Sequence, residues 1–333
     1  MLKFIQIFFV LVLFISNYVE ANKFTIMSIN AQNLFDTIDD PKKDDKAFLP
    51  LELKQSQGHK NECNNISVKR WRIECFFQDW DEETKNAKLN NLMKVIISYG
   101  GSGADIVGLQ EIENINILGQ LFQLLKPYGY LDFKLLESND KRGIDTAFIS
   151  KYKIKNSKLH YVNFSPKFET IDTRPIFEVD IEINNQLIKF YNVHFPSNFH
   201  PTQMRIESFD KLKSLISNHS YPSIALGDFN LTNKDDNKFN IYKGQEDFWD
   251  VAHREGCGSC KGTYYYGKGK SWDFLDTIMV SKDRGINFNP GSINVFKTEF
   301  NTYKDTGKPF WFNPENKQGV SDHFPIVAEI SIN

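Results

Sequence analysis

The feature that most constrains this chain is a series of short apolar segments, each followed or preceded by a polar residue that catalysis can use. Segments of this length, with alternating or continuous apolar side chains, are typical of β-strands. Because loops at strand ends on a rigid scaffold commonly carry catalytic groups, we expect these polar residues to lie together. They are Asn30, Glu111, His194, Asp228, Asn230, Asp322 and His323.

Helical segments alternate with the strands. Apolar residues recur at the spacing of an amphipathic helix over 89–97, 117–125 and 203–217. The segments that read as strands are 24–30, 105–110, 144–150, 177–183, 187–193, 223–227, 275–281 and 325–332. Asn184 and Asn185 indicate a hairpin between the fourth and fifth of these strands. We therefore predict an α/β fold, a two-sheet sandwich with helices on its outer faces.

The N-terminal segment 1–21 reads as a secretory signal peptide. Lys3 gives it a positive start, 4–15 is almost entirely apolar, and Ala21 supplies a small residue at the expected cleavage point. The alternative is a membrane anchor, but the apolar run is shorter than the roughly 20 residues that a bilayer span needs. We predict a secreted or periplasmic protein whose remaining residues, 22–333, form one domain.

The four cysteines leave several arrangements open: two local disulfides, a zinc site, or a redox pair in the Cys257–Cys260 spacing. An oxidising compartment favours disulfides, so we predict Cys63–Cys75 and Cys257–Cys260. The charged segment from about 39 to 81 contains the first pair and is predicted to be an irregular surface insertion.

The charge of the chain limits how it binds nucleic acid. Its formal net charge is −2, whereas proteins that coat nucleic acid nonspecifically carry a basic excess. Any such binding must be local. Arg174, before a predicted strand, either positions a phosphate or lies on the surface.

The polar residues supply the groups that phosphate-ester hydrolysis requires. Glu111 and Asp322 offer hard oxygen ligands for Mg²⁺, with Mn²⁺ or Ca²⁺ as alternatives, and Asn30 either coordinates the ion or holds a ligand. Asp228 can orient and deprotonate a water molecule, and Asn230 can orient Asp228 or bind phosphate.

The two histidines complete this set. His194 and His323 can donate hydrogen bonds to a phosphate that gains charge in the transition state. Asp276 can hold one of them in the required tautomer. A lone histidine is more often structural, and an aspartate such as Asp228 often only forms a turn, so the prediction depends on the whole series.

Five motifs carry a family resemblance. The segments SINAQNLFD, GLQEIEN, NVHFPSN, ALGDFN and VSDHFPI, in this order between residues 24 and 333, resemble the successive motifs of the endonuclease/exonuclease/phosphatase superfamily. The GDFN and SDHFPI segments are the most specific, while each motif alone is weak. The resemblance implies a deoxyribonuclease I-like sandwich with its site at one edge.

The resemblance also implies a role for each matching residue. Asn30, Glu111 and Asp322 correspond to the residues near the metal, and Asp228 and Asn230 to the pair that activates water. His194 and His323 correspond to the phosphate-contacting histidines, and Asp276 to the aspartate that pairs with the last histidine. Gln32 departs from relatives that have an acidic residue there, which puts a second metal position in doubt.

A secreted nuclease acting on DNA or RNA is the function we predict from these residues. The alternatives are a sphingomyelinase-like phospholipid phosphodiesterase and a non-catalytic module of the same fold. Residues 264–266, three tyrosines, either stack on bases or pack as a strand, and 310–312, three aromatics, either dock on a bilayer or pack under a loop. No stable protein partner is inferred.

Overall fold

The structure, a computed structural model, describes residues 22–171 and 173–333. The predicted signal peptide over 1–21 lies outside the described residues. In chain order the strands are β1 (Lys23–Leu34), β2 (Ile106–Ile112), β3 (Asp132–Leu135), β4 (Asp145–Ser150), β5 (Ile154–His160), β6 (Ile176–Ile183), β7 (Gln186–His194), β8 (Ser223–Asp228), β9 (Trp249–Val251), β10 (Tyr264–Tyr266), β11 (Ser271–Asp273), β12 (Asp276–Ser281), β13 (Ile286–Phe288), β14 (Asn294–Val295) and β15 (Ile326–Ile332).

The helices stand between these strands in the sequence. They are α1 (Gln57–Asn65), α2 (Lys69–Phe77), α3 (Glu82–Ser98), α4 (Ile115–Leu125), α5 (Thr202–Ser217), α6 (Asn233–Phe239) and α7 (Ala252–Glu255). Asp81 begins α3 by accepting the N–H of Thr84, and Asn114 begins α4 by accepting the N–H groups of Asn116 and Ile117. No helix in this part of the chain combines the length and apolar character needed to cross a bilayer.

Two sheets pack face to face. The first has the order β13-β15-β1-β2-β4-β3, with β14 beside β15, and the second has the order β5-β6-β7-β8-β12-β9. Apolar side chains of both sheets, including Phe24, Phe148, Phe190 and Leu226, fill the space between them. A separate two-stranded ribbon, β10-β11, lies outside both sheets.

The helices cover the outer faces. Leu92 and Ile96 of α3 and Leu121 of α4 pack against the first sheet, while Phe209 and Leu212 of α5 pack against the second. The predicted α/β sandwich with external helices is therefore confirmed. The expected hairpin is also present, because β6 and β7 pair antiparallel across Asn184 and Asn185, both of which have positive φ.

The insertion is more ordered than the sequence suggested. Within 39–81, predicted to be irregular, the chain forms α1 and α2, which the Cys63–Cys75 disulfide joins. Trp80 is buried beneath the insertion, with its indole N–H donating to the carbonyl of Phe35. A second disulfide joins Cys257 and Cys260 after α7, so the prediction of two local disulfides is confirmed.

The second sheet has a partly buried ionic cluster that spans β5, β6 and β7. Glu178 on β6 accepts hydrogen bonds from His160 on β5 and Lys189 on β7, both at 2.6 Å. Burial opposes ionisation of Glu178, but its hydrogen bonds to His160 and Lys189 outweigh this effect and lower the pKa of Glu178 to about 2.

Candidate active site

Five strand ends converge at one edge of the sandwich. In the first sheet β1 and β2 run parallel, with Asn30 opposite Gln110, so Asn30 and Glu111 end beside each other. In the second sheet β7 and β8 run parallel with His194 opposite Asp228, and β12 runs antiparallel to β8 with Asp276 opposite Asp228. The register alone therefore brings these five predicted residues to one place.

Local irregularities of the backbone aim the side chains into this site. The register of β2 shifts between Gln110 and Ile112, which places a bulge at Glu111. Glu111 has φ of 62° and Asn230 has φ of 50°. Bulges and left-handed backbone at non-glycine residues concentrate at functional sites, because they redirect a side chain at a cost in strain.

Asn30 connects the two sheets. Its amide Nδ2 donates to Glu111 Oε1 at 3.3 Å and to Asp228 Oδ2 at 3.2 Å, while its Oδ1 accepts the backbone N–H of Gln32 at 2.9 Å. Of the two roles considered for Asn30, this orientation favours holding the carboxylates in place.

Asp228 is a buried carboxylate held in a fixed orientation. Its Oδ1 accepts the backbone N–H of Asn230 at 2.8 Å, and Asn230 Nδ2 donates to the carbonyl of Phe195 at 3.0 Å. Burial, together with the nearby charge of Asp276, raises the pKa of Asp228 to about 7. A carboxyl group with a pKa in this range is suited to accept a proton at neutral pH.

His323 and Asp276 form a buried ion pair. His323 Nδ1 lies 2.7 Å from Asp276 Oδ2, and Asp276 is fully buried. Burial alone lowers the pKa of an imidazole, but the Asp276 carboxylate outweighs it and raises the pKa of His323 well above its usual value. The Asp276 carboxylate therefore favours the positively charged form of the His323 ring.

His194 has the opposite character. Its Nε2 lies 3.6 Å from Asp228 Oδ2 and 3.7 Å from Glu111 Oε1, and its Nδ1 is buried without a hydrogen-bond partner. Burial, then the positive charges of Arg174 and Arg142, lowers the pKa of His194 well below its usual value. A neutral imidazole here can still donate one hydrogen bond to a bound group.

Arg174 is buried and lies next to these residues, not on the surface. Its Nη1 is 3.6 Å from Asp140 Oδ2, its Nη2 donates to the carbonyl of Phe195 at 3.4 Å, and its Nε has no partner. A buried guanidinium with spare N–H groups is suited to bind an anion such as phosphate.

The predicted metal ligands have the chemistry that a divalent cation needs. Glu111 Oε2 accepts the backbone N–H of Asn33 at 2.9 Å, and its side chain remains 15% exposed. Burial and the negative charge of Glu111 raise the pKa of Asp322, although His323 acts in the opposite direction. Carboxylates that destabilise each other's charge are stabilised by a bound cation, so Glu111 and Asp322 fit a hard divalent ion.

A second group of possible ligands fits a metal less well. Side-chain atoms of Asp228, Asp276 and His323 lie within 4.8 Å of one another. His323 Nδ1, however, is engaged with Asp276, and a charged imidazole does not ligate a metal. The chemistry of these three side chains suits proton transfer and charge stabilisation better than metal binding.

Three residues of the site carried no recognisable signal in the sequence. Lys88 is fully buried in α3 and donates to the carbonyls of Gln32 and Val320, and burial lowers its pKa to about 7. Arg142 contributes positive charge from an exposed loop, where it donates to Asn33 Oδ1 at 3.0 Å. Ser321 donates to the carbonyl of Asn30 and accepts the N–H of His323.

Gln32 links the site to the 310–312 segment. Its Oε1 accepts the backbone N–H of Phe312 at 2.9 Å, and its Nε2 donates to the carbonyl of the same residue at 3.4 Å. Phe312 packs against Trp80, whereas Trp311 is 40% exposed. Within this run of aromatics, packing under a loop therefore accounts for Phe312 but not for Trp311.

These features define a class of protein: an α/β sandwich that brings carboxylates, two histidines and an arginine together at one edge. Such groups suit attack of water on a phosphoester. The chain belongs to the Endonuclease/Exonuclease/phosphatase family, whose model matches residues 75–332. Members of this family are generally hydrolases of phosphoester bonds and typically use divalent metals.

Solved structures share the fold. An endonuclease/exonuclease/phosphatase family protein from Bacteroides thetaiotaomicron aligns with a TM-score of 0.59 and 15% identity, covering 94% of this chain and 99% of that one. A mannosyl-6-phosphatase from the same organism has a TM-score of 0.57 and 16% identity, covering 93% and 100%. Truncated TDP2 from Caenorhabditis elegans has a TM-score of 0.53 and 15% identity, covering 93% and 97%. No curated protein matches by sequence.

Proposed function

We propose that this chain is a secreted or periplasmic nuclease that hydrolyses phosphodiester bonds of DNA or RNA with the help of a divalent cation. The observation that carries the proposal is the convergence of Asp228, neutral His194 and the charged His323–Asp276 pair beside buried Arg174. The two disulfides support an oxidising compartment.

The proposed chemistry assigns one task to each group. Asp228 accepts a proton from water as the water oxygen forms its bond to phosphorus. Arg174 and His194 donate hydrogen bonds to the non-bridging oxygens, which gain charge as the reaction proceeds. The bond from phosphorus to the leaving oxygen breaks, and the His323 imidazolium gives that oxygen a proton.

The ion would be held by Glu111 and Asp322, with Asn30 fixing Glu111 in place. When bound it neutralises phosphate charge and favours attack by water. We propose Mg²⁺, with Mn²⁺ or Ca²⁺ as alternatives, because the proposed ligand atoms are carboxylate oxygens. Gln32 uses both polar atoms of its side chain in hydrogen bonds to the backbone of Phe312. Because these atoms are already engaged, the arrangement supports one bound ion and not two.

Plasmid cleavage tests the proposal. The protein without residues 1–21 is incubated with supercoiled plasmid and Mg²⁺, and we expect nicking that EDTA abolishes. His194→Ala is expected to lower the rate about 10²–10⁴-fold. His219→Ala is the matched control. His219 lies just before β8, at the end of this strand opposite to Asp228, and it contacts the Tyr191 hydroxyl.

A protein that is folded and binds Mg²⁺ yet leaves plasmid, single-stranded DNA and RNA intact would contradict the nuclease proposal. Sphingomyelin would then be the next substrate, since exposed Trp311 lies beside the groove that also includes Asp322. Absence of hydrolysis on all phosphodiesters would instead support a non-catalytic module.

A further inference from the structure

The β10-β11 ribbon is attached directly to the segment that carries the catalytic histidine. The carbonyl of Thr263 accepts the N–H of Phe324 at 2.8 Å, and the Thr263 hydroxyl accepts the N–H of Asp276 at 3.1 Å. Tyr264 forms a β-bridge with His323, with ring centroids 4.9 Å apart. Whatever binds the ribbon is therefore held beside His323.

Aromatic side chains cover this ribbon. Tyr264, Tyr265 and Tyr266 form β10, which confirms the strand interpretation of this run, and Tyr265 packs against Trp272 across the ribbon. Tyr266 is 46% exposed. A Cβ at Gly269 would lie 2.7 Å from the Tyr266 ring, so this ring packs directly against the glycine backbone. Tyr266 thus offers a supported aromatic ring to solvent.

Lysines surround these rings. Lys308 lies 3.9 Å above the Tyr265 ring, and Lys297 lies 5.6 Å from the Trp272 ring. Lys268 and Lys270 are exposed at the turn of the ribbon, and Lys261 precedes it. In the described part of the chain none of these five lysines forms an ion pair.

The acidic groups near the ribbon do not neutralise this charge. Asp273, on β11, uses Oδ1 to accept the backbone N–H of Asn233 at 2.9 Å. Burial and the positive charge of Lys261 lower the pKa of Lys297, as expected for neighbouring cations without a counter-ion. The ribbon surface therefore attracts a polyanion.

A second surface, which includes Asp322, has the reverse character. A groove of about 900 Å³ runs from Gln32 and Asp322 to α2. Its wall includes the carboxylates of Asp79, Asp81 and Glu315. The two cations that line it, Arg70 and Lys317, are each paired with a glutamate. A phosphate backbone would be repelled there, so a strand would leave the site over the ribbon.

We propose that the β10-β11 ribbon binds single-stranded nucleic acid next to the scissile phosphate, with a base stacked on Tyr266 and phosphates on Lys268 and Lys270. This inference rests on the proposed nuclease function. Alternating aromatic rings and cations suit a single strand, whose unpaired bases are free to stack and whose backbone can follow the lysines. A duplex presents no base face to the tyrosine.

Binding without turnover tests the inference. Fluorescence anisotropy of a short fluorescein-labelled oligothymidylate is measured in EDTA, beside the same strand annealed to its complement. Tyr266→Ala is expected to weaken single-strand binding about 5- to 150-fold, the range for one stacked base. Tyr266→Phe is expected to retain binding, because the ring remains.

Salt dependence tests the lysines. For Lys268→Ala/Lys270→Ala, the slope of log K against log salt is expected to fall by about 1.4, because each phosphate contact on a single strand contributes roughly 0.7. The matched control is Lys126→Ala/Lys153→Ala, two exposed lysines near the Ile106–Ser150 end of the first sheet. That double variant is expected to bind with the slope of the unsubstituted protein.

The outcomes separate this inference from the proposed function. Unchanged affinity and slope in the ribbon variants would overturn the inference even if the protein cleaves plasmid. Equal binding of duplex and single strand would also overturn it. Failure to cleave any nucleic acid refutes the nuclease proposal by itself, because the binding measurement does not depend on turnover.

Discussion

Gly227→Ala should disrupt the active site from within the second sheet. Gly227 lies on β8 directly opposite Val193 of β7 and has φ of 138°. A Cβ at this position would lie 2.0 Å from the carbonyl oxygen of Val193. Since that oxygen belongs to the backbone of the neighbouring strand, no side-chain rotation can relieve the clash, and the two strands must separate.

The cost has two parts. Forcing alanine into a backbone region that only glycine adopts freely costs about 1–3 kcal/mol. Overpacking a tightly packed interior adds about 1–3 kcal/mol. The free energy of unfolding should therefore fall by about 2–6 kcal/mol, a large part of the 5–15 kcal/mol that a typical domain has. His194 and Asp228 form the next pair along these strands, and a displacement of about 1 Å can cost roughly 10²-fold in rate.

Urea unfolding and phosphodiester turnover measure both effects. Gly244→Ala is the matched control, because a Cβ there meets nothing within 4 Å and φ is negative. Its free energy of unfolding should stay within about 0.5 kcal/mol of the unsubstituted protein. The free energy of unfolding of Gly227→Ala could instead fall by less than about 1 kcal/mol while turnover stays complete. In that case the close approach of β7 and β8 would not be what positions His194 and Asp228.

Three further perturbations have defined outcomes. Asp276→Asn should lower kcat on a phosphodiester about 10²–10⁴-fold, because His323 loses the carboxylate that keeps it charged; unchanged kcat would contradict the pairing. Glu178→Gln should lower the free energy of unfolding by about 1–2 kcal/mol at pH 7, after allowance for solvent screening of the ion pairs. The pKa of Glu178 in the folded protein is lowered to about 2. In urea titrations the loss of stability should therefore shrink as pH falls from about 4.5 towards 2. A loss that does not change with pH would refute this prediction. Cys63→Ala/Cys75→Ala opens a loop with a sequence separation of 12 and should cost about 3 kcal/mol, measured by the same titrations.

Much of the fold was predictable because strands and amphipathic helices have periodic sequences. The hairpin of β6 and β7 alternates apolar residues and turns at two asparagines, so its pattern was unambiguous. The edge strands β3, β9 and β13 were not predicted, since they are only three or four residues long. The helices α1 and α2 were missed because they lack a continuous apolar face.

The predicted site residues came from strand ends, and the structure brings them to one edge. What the sequence could not indicate were contributions from other elements. Lys88 shares the buried face of α3 with Leu92, whereas Lys94 of the same helix is exposed, but a lysine on such a face normally extends its amine to solvent. Its burial depends on how α3 packs over β1, a tertiary contact that helical periodicity does not specify.

The reaction class follows from the structure more directly than the substrate does, because the two depend on groups in different parts of the molecule. The groups proposed to act on phosphorus lie on strand ends that the fold itself brings together. The groups that would meet the rest of the substrate lie on the ribbon, which is separate from both sheets, and on the segments that line the acidic groove. Because loops outside the common scaffold can vary without disturbing the sheets, substrate choice in this chain should depend on the ribbon lysines and the acidic groove more than on His194 or Asp228.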